Sequence, residues 1–240
     1  MTRITAVGGL CNRVQAILSR RYLEKHGDME VGWEPNTPVS GGTWEDVFEP
    51  LPNVVFRRPA GGPEVWDVAM FAPSNWAESH RLLVPRPAPQ ARIDAIKASM
   101  GGPYAAMHIR RTDHVPNTVA RGDKVQGDED YMAWVDGLPP GMRVYLATDN
   151  GETQRKFLDW AGAEQAAVAN FATCRVAIGT PLPGKATAPI HDCRRNGTLA
   201  DAVVDLFVCA GGYLFKGTHA SSFSETVERL QRHHATGRGT

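Results

Sequence analysis

The densest chemistry in this 240-residue chain lies in six consecutive residues, His108-Ile109-Arg110-Arg111-Thr112-Asp113. They close an apolar run, residues 104–109, that reads as a buried strand. They therefore fall where open α/β sheets place their ligands. Two adjacent arginines at a strand end point in different directions, so one can face a cleft while the other anchors to the fold. A guanidinium fork matches phosphate oxygens bidentately and keeps its charge at any working pH. Residues 108–126 carry four Arg/Lys against two Asp, whereas residues 127–136 carry four acidic residues and no basic one, so the basic character is local. The competing reading is a structural Arg–Asp pair at the strand end.

Three other segments join a strand to a turn or helix. In Gly8-Gly9-Leu10-Cys11-Asn12-Arg13, glycines let the backbone approach a ligand, and a helix start offers free N–H groups. The spacing fits neither a dinucleotide fingerprint nor a P-loop, and a plain tight turn is the alternative. Gly217-Thr218-His219-Ala220-Ser221-Ser222-Phe223-Ser224 offers hydroxyls and N–H groups at a helix start, which suit phosphate; Ser222 with Glu225 also fits an ordinary capping box. Thr148-Asp149-Asn150 ends a strand and can orient a sugar or a neighbouring Arg, or simply form a turn. Asp205 lies inside an apolar helix, where a carboxylate must find donors. A guanine edge supplies two; Arg194 or Arg195 would be the plainer partner.

The elements that position these residues follow from apolar patterning. Residues 4–7 and 29–33 read as strands around a helix at 12–26, and shorter strands are expected at 54–56 and 65–71. Three alternating prolines make 84–89 the candidate linker, with a helix over 90–100 after it. Strands at 104–109, 143–147 and 213–215 alternate with helices at 129–135, 152–160, 198–209 and 222–232; residues 111–127 read as a polar loop. The pattern predicts an α/β protein of two small halves, residues 1–88 and 89–240, with strand ends on a shared cleft.

Composition sets outer limits. The formal net charge is 0, which argues against a nucleic-acid or membrane binder working by bulk charge. The cysteines Cys11, Cys174, Cys193 and Cys209 form no CxxC pair and read as buried free thiols, a Cys174–Cys193 bridge being the alternative. No metal-ligand cluster is visible. The N-terminal run is too short and polar for a signal peptide, and residues 199–215 are too short and polar to span a bilayer, so a cytoplasmic protein is expected.

Taken together, the segments resemble the α-1,6-fucosyltransferases and their protein O-fucosyltransferase relatives, which include the enzymes acting on the N-glycan core and on Nod factors. His108 to Asp113 resembles the family motif H-x-R-R-x-D. Residues 144–150 resemble Y-L-A-T-D-D, Glu129-Asp130-Tyr131-Met132 resembles E-E-Y-M, and residues 8–13 resemble the N-terminal glycine motif. Asp205 followed by residues 218–223 resembles the C-terminal segment.

The resemblance implies a GT-B-like fold of two Rossmann-type lobes facing a cleft, the N-terminal one reduced and serving the acceptor. It implies inverting, metal-independent transfer of fucose from GDP-fucose to a glycan or protein hydroxyl, with no cofactor. Arg110 would hold the β-phosphate beside Arg111. Asp205 and, in part, His108 would meet guanine. Ser221, Ser222 and Phe223 would line the phosphate and ribose, and Gly9 and Asn12 would approach from the N-terminal half. Asp149 matches an acidic position the family needs. The chain departs from the core-fucosylating enzymes where they carry a Lys and, four residues on, a Glu that deprotonate the acceptor. Here these are His114 and Thr118. His114 is the expected base, with Asp113, Asp123 and Asp128 as other candidates. A GDP-sugar-binding protein without transfer, or an enzyme using another nucleotide sugar, are the alternatives.

Overall fold

A computed structural model describes residues 1–33, 36–37, 40–57, 62–65, 79–111, 114–161, 168–169 and 198–236. The first half begins with β1 (Thr2–Ala6), α1 (Leu10–Leu23) and β2 (Met29–Trp33), followed by a short hairpin of β3 (Asn36–Thr37) and β4 (Ser40–Gly41). Then come α2 (Trp44–Val47), β5 (Val54–Arg57) and β6 (Glu64–Val65). A sheet of order β5-β2-β1-β6 results, every pair in it parallel. Trp44 stacks on Phe56 at 4.8 Å and meets Trp33 edge-on at 6.0 Å, which fills the core beside β2 and β5. Burying such rings supplies much of a small sheet's stability.

The second half runs α3 (Pro87–Ser99), β7 (Ala105–Ile109), α4 (His114–Ala120), α5 (Asp128–Asp136), β8 (Val144–Thr148), α6 (Gly151–Ala161), β9 (Val168–Ala169), α7 (Leu199–Gly211), β10 (Leu214–Lys216) and α8 (Ser222–Thr236). Its sheet, β10-β7-β8-β9, is also wholly parallel. Every residue of β7 and β8 is buried, as expected of central strands covered on both faces. Side chains alternate across the pleat: Ala105, Met107 and Ile109 join Leu146 and Phe157 in one cluster, while Ala106, Tyr145 and Ala147 face α7.

Helix α7 is apolar nearly all round because it is covered on several sides. Its Val203, Val204 and Val208 share one buried cluster with Ile4, Val31 and Trp33 of the first sheet. Phe207 approaches Phe48 at 6.3 Å. At its start the Thr198 side chain caps Asp201 N, and Asp201 pairs with Arg92 of α3 at 2.7 Å. These contacts tie α7 to both halves.

Several expected boundaries shift. Pro87 opens α3 inside the proline-rich stretch, because proline is tolerated at the first helical position, where no N–H is needed. Residues 111–127 are not all loop: Val115 N donates to Arg111 O and α4 follows. The strand expected at 65–71 is described only as β6. Cys11 and Cys209 are buried free thiols; Cys174, Cys193, Arg194 and Arg195 lie outside the described residues.

Candidate functional site

The parallel strands β7, β8 and β10 bring their C-terminal ends together, and this places Arg110, Asp149 and Thr218 side by side. Asp149 binds both arginines through different oxygens. Its Oδ1 accepts from Arg111 N at 2.7 Å, and its Oδ2 lies 3.3 Å from Arg110 Nε. Arg111 then turns away from Arg110. Its guanidinium donates to Gln126 O at 2.8 Å and to Asp128 Oδ1 at 2.6 Å, and it covers the Tyr131 ring at 5.6 Å. One arginine is thus fixed into the fold. The other keeps a side chain 19% exposed, and both line a cavity of about 10 Å³ with His114, Thr118, Lys124, Thr218 and His219. That is room for one water or one ligand oxygen.

Proton acceptors separate by environment. Burial alone would lift the Asp128 carboxyl, but hydrogen bonds and charge from Lys156 and Arg111 outweigh it and hold it below the ordinary carboxylate range. Asp128 is therefore anionic and a weak base. Asp123 is paired with Arg121 at 3.2 Å and exposed. Asp113 lies outside the described residues. His114 alone of the named candidates lines the Arg110 cavity. Thr118, where the resembled enzymes carry a carboxylate, is buried, and its hydroxyl has no hydrogen-bond partner among the described residues.

Thr218 is the hub of the turn that follows β10. Its hydroxyl donates to His108 O and accepts from Arg110 N, both at 2.9 Å, and Tyr131 OH lies 2.8 Å away. Burial raises the Tyr131 phenol, which stays protonated to make that bond. Thr218 N donates to Ser224 Oγ at 2.9 Å. Gly217 permits this closure, since a Cβ there would stand 2.6 Å from Ser224 Cβ. Ala220 adopts φ +54°, a left-handed conformation that costs a residue with a Cβ about 1–2 kcal/mol. The next residue, Ser221, is buried, and its hydroxyl lacks a partner among the described residues. Ser222 is the first residue of α8 itself, so it does not serve as the expected cap. His108 stacks on Phe223 with centroids 4.3 Å apart, and its Nδ1 lies 2.9 Å from Ser224 Oγ.

The glycine turn at the start of α1 comes to the same end of the molecule. Gln15 Nε2 donates to Ser222 O and Thr226 Oγ1, both at 3.1 Å, setting the first turns of α1 and α8 side by side. Gly9, the N-cap of α1, and Asn12 in its first turn are both partly exposed. Arg13 does not join them. Its Nε donates to Gly8 O at 2.9 Å, and its guanidinium lies over Trp33 at 4.8 Å.

Asp205 lies on α7, is 2% exposed and accepts from Tyr145 OH of β8. Ser224 belongs to the candidate segment 217–224, whereas Gln15 and Gln126 carry no signal in the sequence. Each acts through a contact more than 90 residues distant in sequence, which no local spacing signals.

No protein-family model and no curated protein sequence matches the chain. Solved structures do. The NodZ α-1,6-fucosyltransferase co-crystallised with GDP aligns with TM-score 0.60 at 14% identity, covering 95% of this chain and 92% of that one. The fold is fucosyltransferase-like. Fucosyltransferase NodZ from Bradyrhizobium gives TM-score 0.60 at 14% identity over 95% and 93% of the two chains. NodZ soaked with GDP-fucose gives 0.57 at 16% over 96% and 93%. This fucosyltransferase-like fold accounts for the parallel α/β sheets. Among the described residues no helix is long and apolar enough to cross a membrane.

Proposed function

We propose that this chain is a glycosyltransferase that moves a sugar from a GDP-sugar, GDP-fucose on the likeness of the fold, to a hydroxyl of a glycan or protein acceptor. The observation that carries this is the Arg110–Asp149 pair beside a turn that combines a strained Ala220 with the buried hydroxyl of Ser221. In this reading Arg110, backbone N–H groups of residues 221–223 and the Ser221 and Ser222 hydroxyls take the diphosphate. His108 and Phe223 meet the nucleoside, and Gly9 and Asn12 close over it from the first half. Arg111 acts by fixing the strand end, and Asp205 braces Tyr145 rather than guanine. Residues 1–88 form the acceptor side and residues 89–240 the donor side. Free thiols at Cys11 and Cys209 suit the reducing cytoplasm.

The acceptor oxygen attacks the anomeric carbon on the face opposite GDP. The bond from that carbon to the β-phosphate oxygen breaks, and its electron pair leaves on the phosphate. Arg110 and the N–H donors are already in place for that growing charge, which is the electrostatic work a metal would otherwise do. His114 takes the acceptor proton, a role suited to imidazole near neutral pH.

A sugar-nucleotide screen tests the reading. GDP and GDP-fucose should raise the melting temperature more than ADP or UDP, and GDP-fucose should be slowly hydrolysed in the presence of EDTA. Equal shifts for all nucleotides would remove the guanine assignment. Binding with no hydrolysis or transfer would favour a GDP-sugar binder, and strict dependence on a divalent ion would overturn the arginine-based mechanism.

A further inference from the structure

The second sheet has another opening at its opposite end. Chain enters β7 and β10 there, while Arg110 and Thr218 follow the strands' other ends, some five residues or about 16 Å away. A cavity of about 720 Å³ lies at this entry, within the size range of small-molecule sites. Lys97, Pro103, Tyr104, Gly211, Tyr213 and Gln231 line it, along with Arg232. We propose that this cavity binds one or two units of a neutral oligosaccharide, at a place separate from the donor site.

Three features select that ligand. First, Tyr213 is 71% exposed although its backbone is pinned by a 2.7 Å bond from its N–H to Tyr104 O. An exposed ring on an anchored backbone, lining the cavity with Pro103, offers the flat apolar surface on which a pyranose lays its C–H face. Second, polar groups surround that ring. Lys97 is half-buried, with no hydrogen bond or ion pair among the described residues beyond the field of Asp94, and burial draws its ammonium below the ordinary lysine value. Tyr104 is buried in the wall, its phenol donating to Val208 O at 2.6 Å. Gln231 is aligned by a 2.9 Å bond to Gly212 O. Third, α3 and α7 end beside the cavity, at Ser99 and Gly211, and the negative ends of their dipoles offset the cations and favour hydroxyl donors over an anion.

The floor is shaped by what is missing from it. A Cβ on Gly211 would stand 2.5 Å from Lys97 Cε and 2.7 Å from Tyr104 OH. Any side chain there would displace the lysine and close the cavity. The proposal stands on this cavity alone, but in a glycosyltransferase such a place would hold a distant part of a long acceptor, so that extension rests on the reading above.

The test titrates the whole protein with maltotetraose, cellotetraose, N-acetylchitotetraose and tetragalacturonate, by saturation-transfer NMR and calorimetry. At least one neutral tetramer should bind, and Tyr213→Ala should weaken it about tenfold, as loss of a central aromatic contact does. Lys97→Met should weaken it as well. Tyr213 is exposed, so its variant keeps the fold, and the GDP-induced melting shift should be unchanged in both. The proposal is overturned if no neutral tetramer binds at about 10 mM, a Kd above the millimolar scale of weak single-site ligands. It is equally overturned if Tyr213→Ala binds normally, or if tetragalacturonate alone binds. Loss of the GDP response in the unaltered protein would count against the donor site and leave these outcomes readable.

Discussion

Ser224 Oγ lies 2.9 Å from Nδ1 of His108, within hydrogen-bond reach. The serine is buried and has two polar neighbours: Thr218 N–H, which can only donate, and His108 Nδ1, 2.9 Å away. The hydroxyl oxygen accepts from the first, which leaves its hydrogen available for the second. That arrangement predicts a neutral imidazole carrying its proton on Nε2, with its ring stacked on Phe223. Ring-nitrogen NMR on the unliganded protein at pH 7 should find Nδ1 unprotonated. Ser224→Ala should remove that preference, cost about 1 kcal/mol in stability and weaken GDP binding, while Ser224→Thr should retain the tautomer. A proton found on Nδ1 in the unaltered protein would refute the relay.

The two adjacent arginines should fail in different ways. Arg110 is partly buried and pairs with Asp149 at the rim of the cavity, so Arg110→Ala should keep the fold. Transfer should fall by about 10²–10³-fold, the scale of one lost donor to a charged transition state. Arg111→Ala strips a donor from Gln126 O and from Asp128 at once, Asp128 keeping Lys156, and should destabilise the chain by about 1.5–3 kcal/mol, as losing a charged hydrogen bond does. Denaturant melts and a GDP titration on both variants separate the effects. Normal transfer by Arg110→Ala would end its assignment to the diphosphate.

Much of this pairing was legible in sequence. Two arginines after a buried strand must diverge, and an acidic residue after the neighbouring parallel strand must meet one of them. The parallel sheets were legible too, since β7 and β8 are short continuous apolar runs. The linker was not: alternating prolines signal extended chain equally with a helix start, and only the packing of α3 on α7 decides. Asp205 shows the same limit. A carboxylate in an apolar helix announces a partner, but the phenol of Tyr145, sixty residues away, has no local signature. The join between α1 and α8 through Gln15 was invisible for the same reason.

Acid should loosen the second half through Asp128. Its folded-state pKa lies below the unfolded value, so the folded protein binds fewer protons there. The stabilisation is fully present above the unfolded value, roughly pH 4, and is lost as pH falls through the lower folded one. Asp128→Asn should therefore be less stable at pH 7 by about 1.5–3 kcal/mol, the worth of a charged hydrogen bond. It should also show a shallower acid limb than the unaltered protein. Parallel acid limbs in pH-dependent melts would contradict the Arg111–Asp128–Lys156 group as a source of acid sensitivity.

Ala220 is one of the non-glycine residues with positive φ among the described residues, with Lys25, His26 and Asn53. At φ +54° its Cβ crowds the following carbonyl, whereas glycine adopts that conformation without penalty. The turn is nevertheless held from both sides, by His219 N donating to Gln126 Oε1 at 2.8 Å and by the Thr218–Ser224 bond. Ala220→Gly should keep that geometry and remove strain, raising stability by up to about 1 kcal/mol after the greater freedom of the unfolded glycine is subtracted. In a chain of this size that is a melting increase of about 2–4 °C. If the turn binds diphosphate in its present shape, the same variant should also bind GDP with unchanged or slightly tighter affinity. A melting temperature lowered by several degrees would mean that Ala220 is not strained and that the methyl group itself packs usefully against the turn.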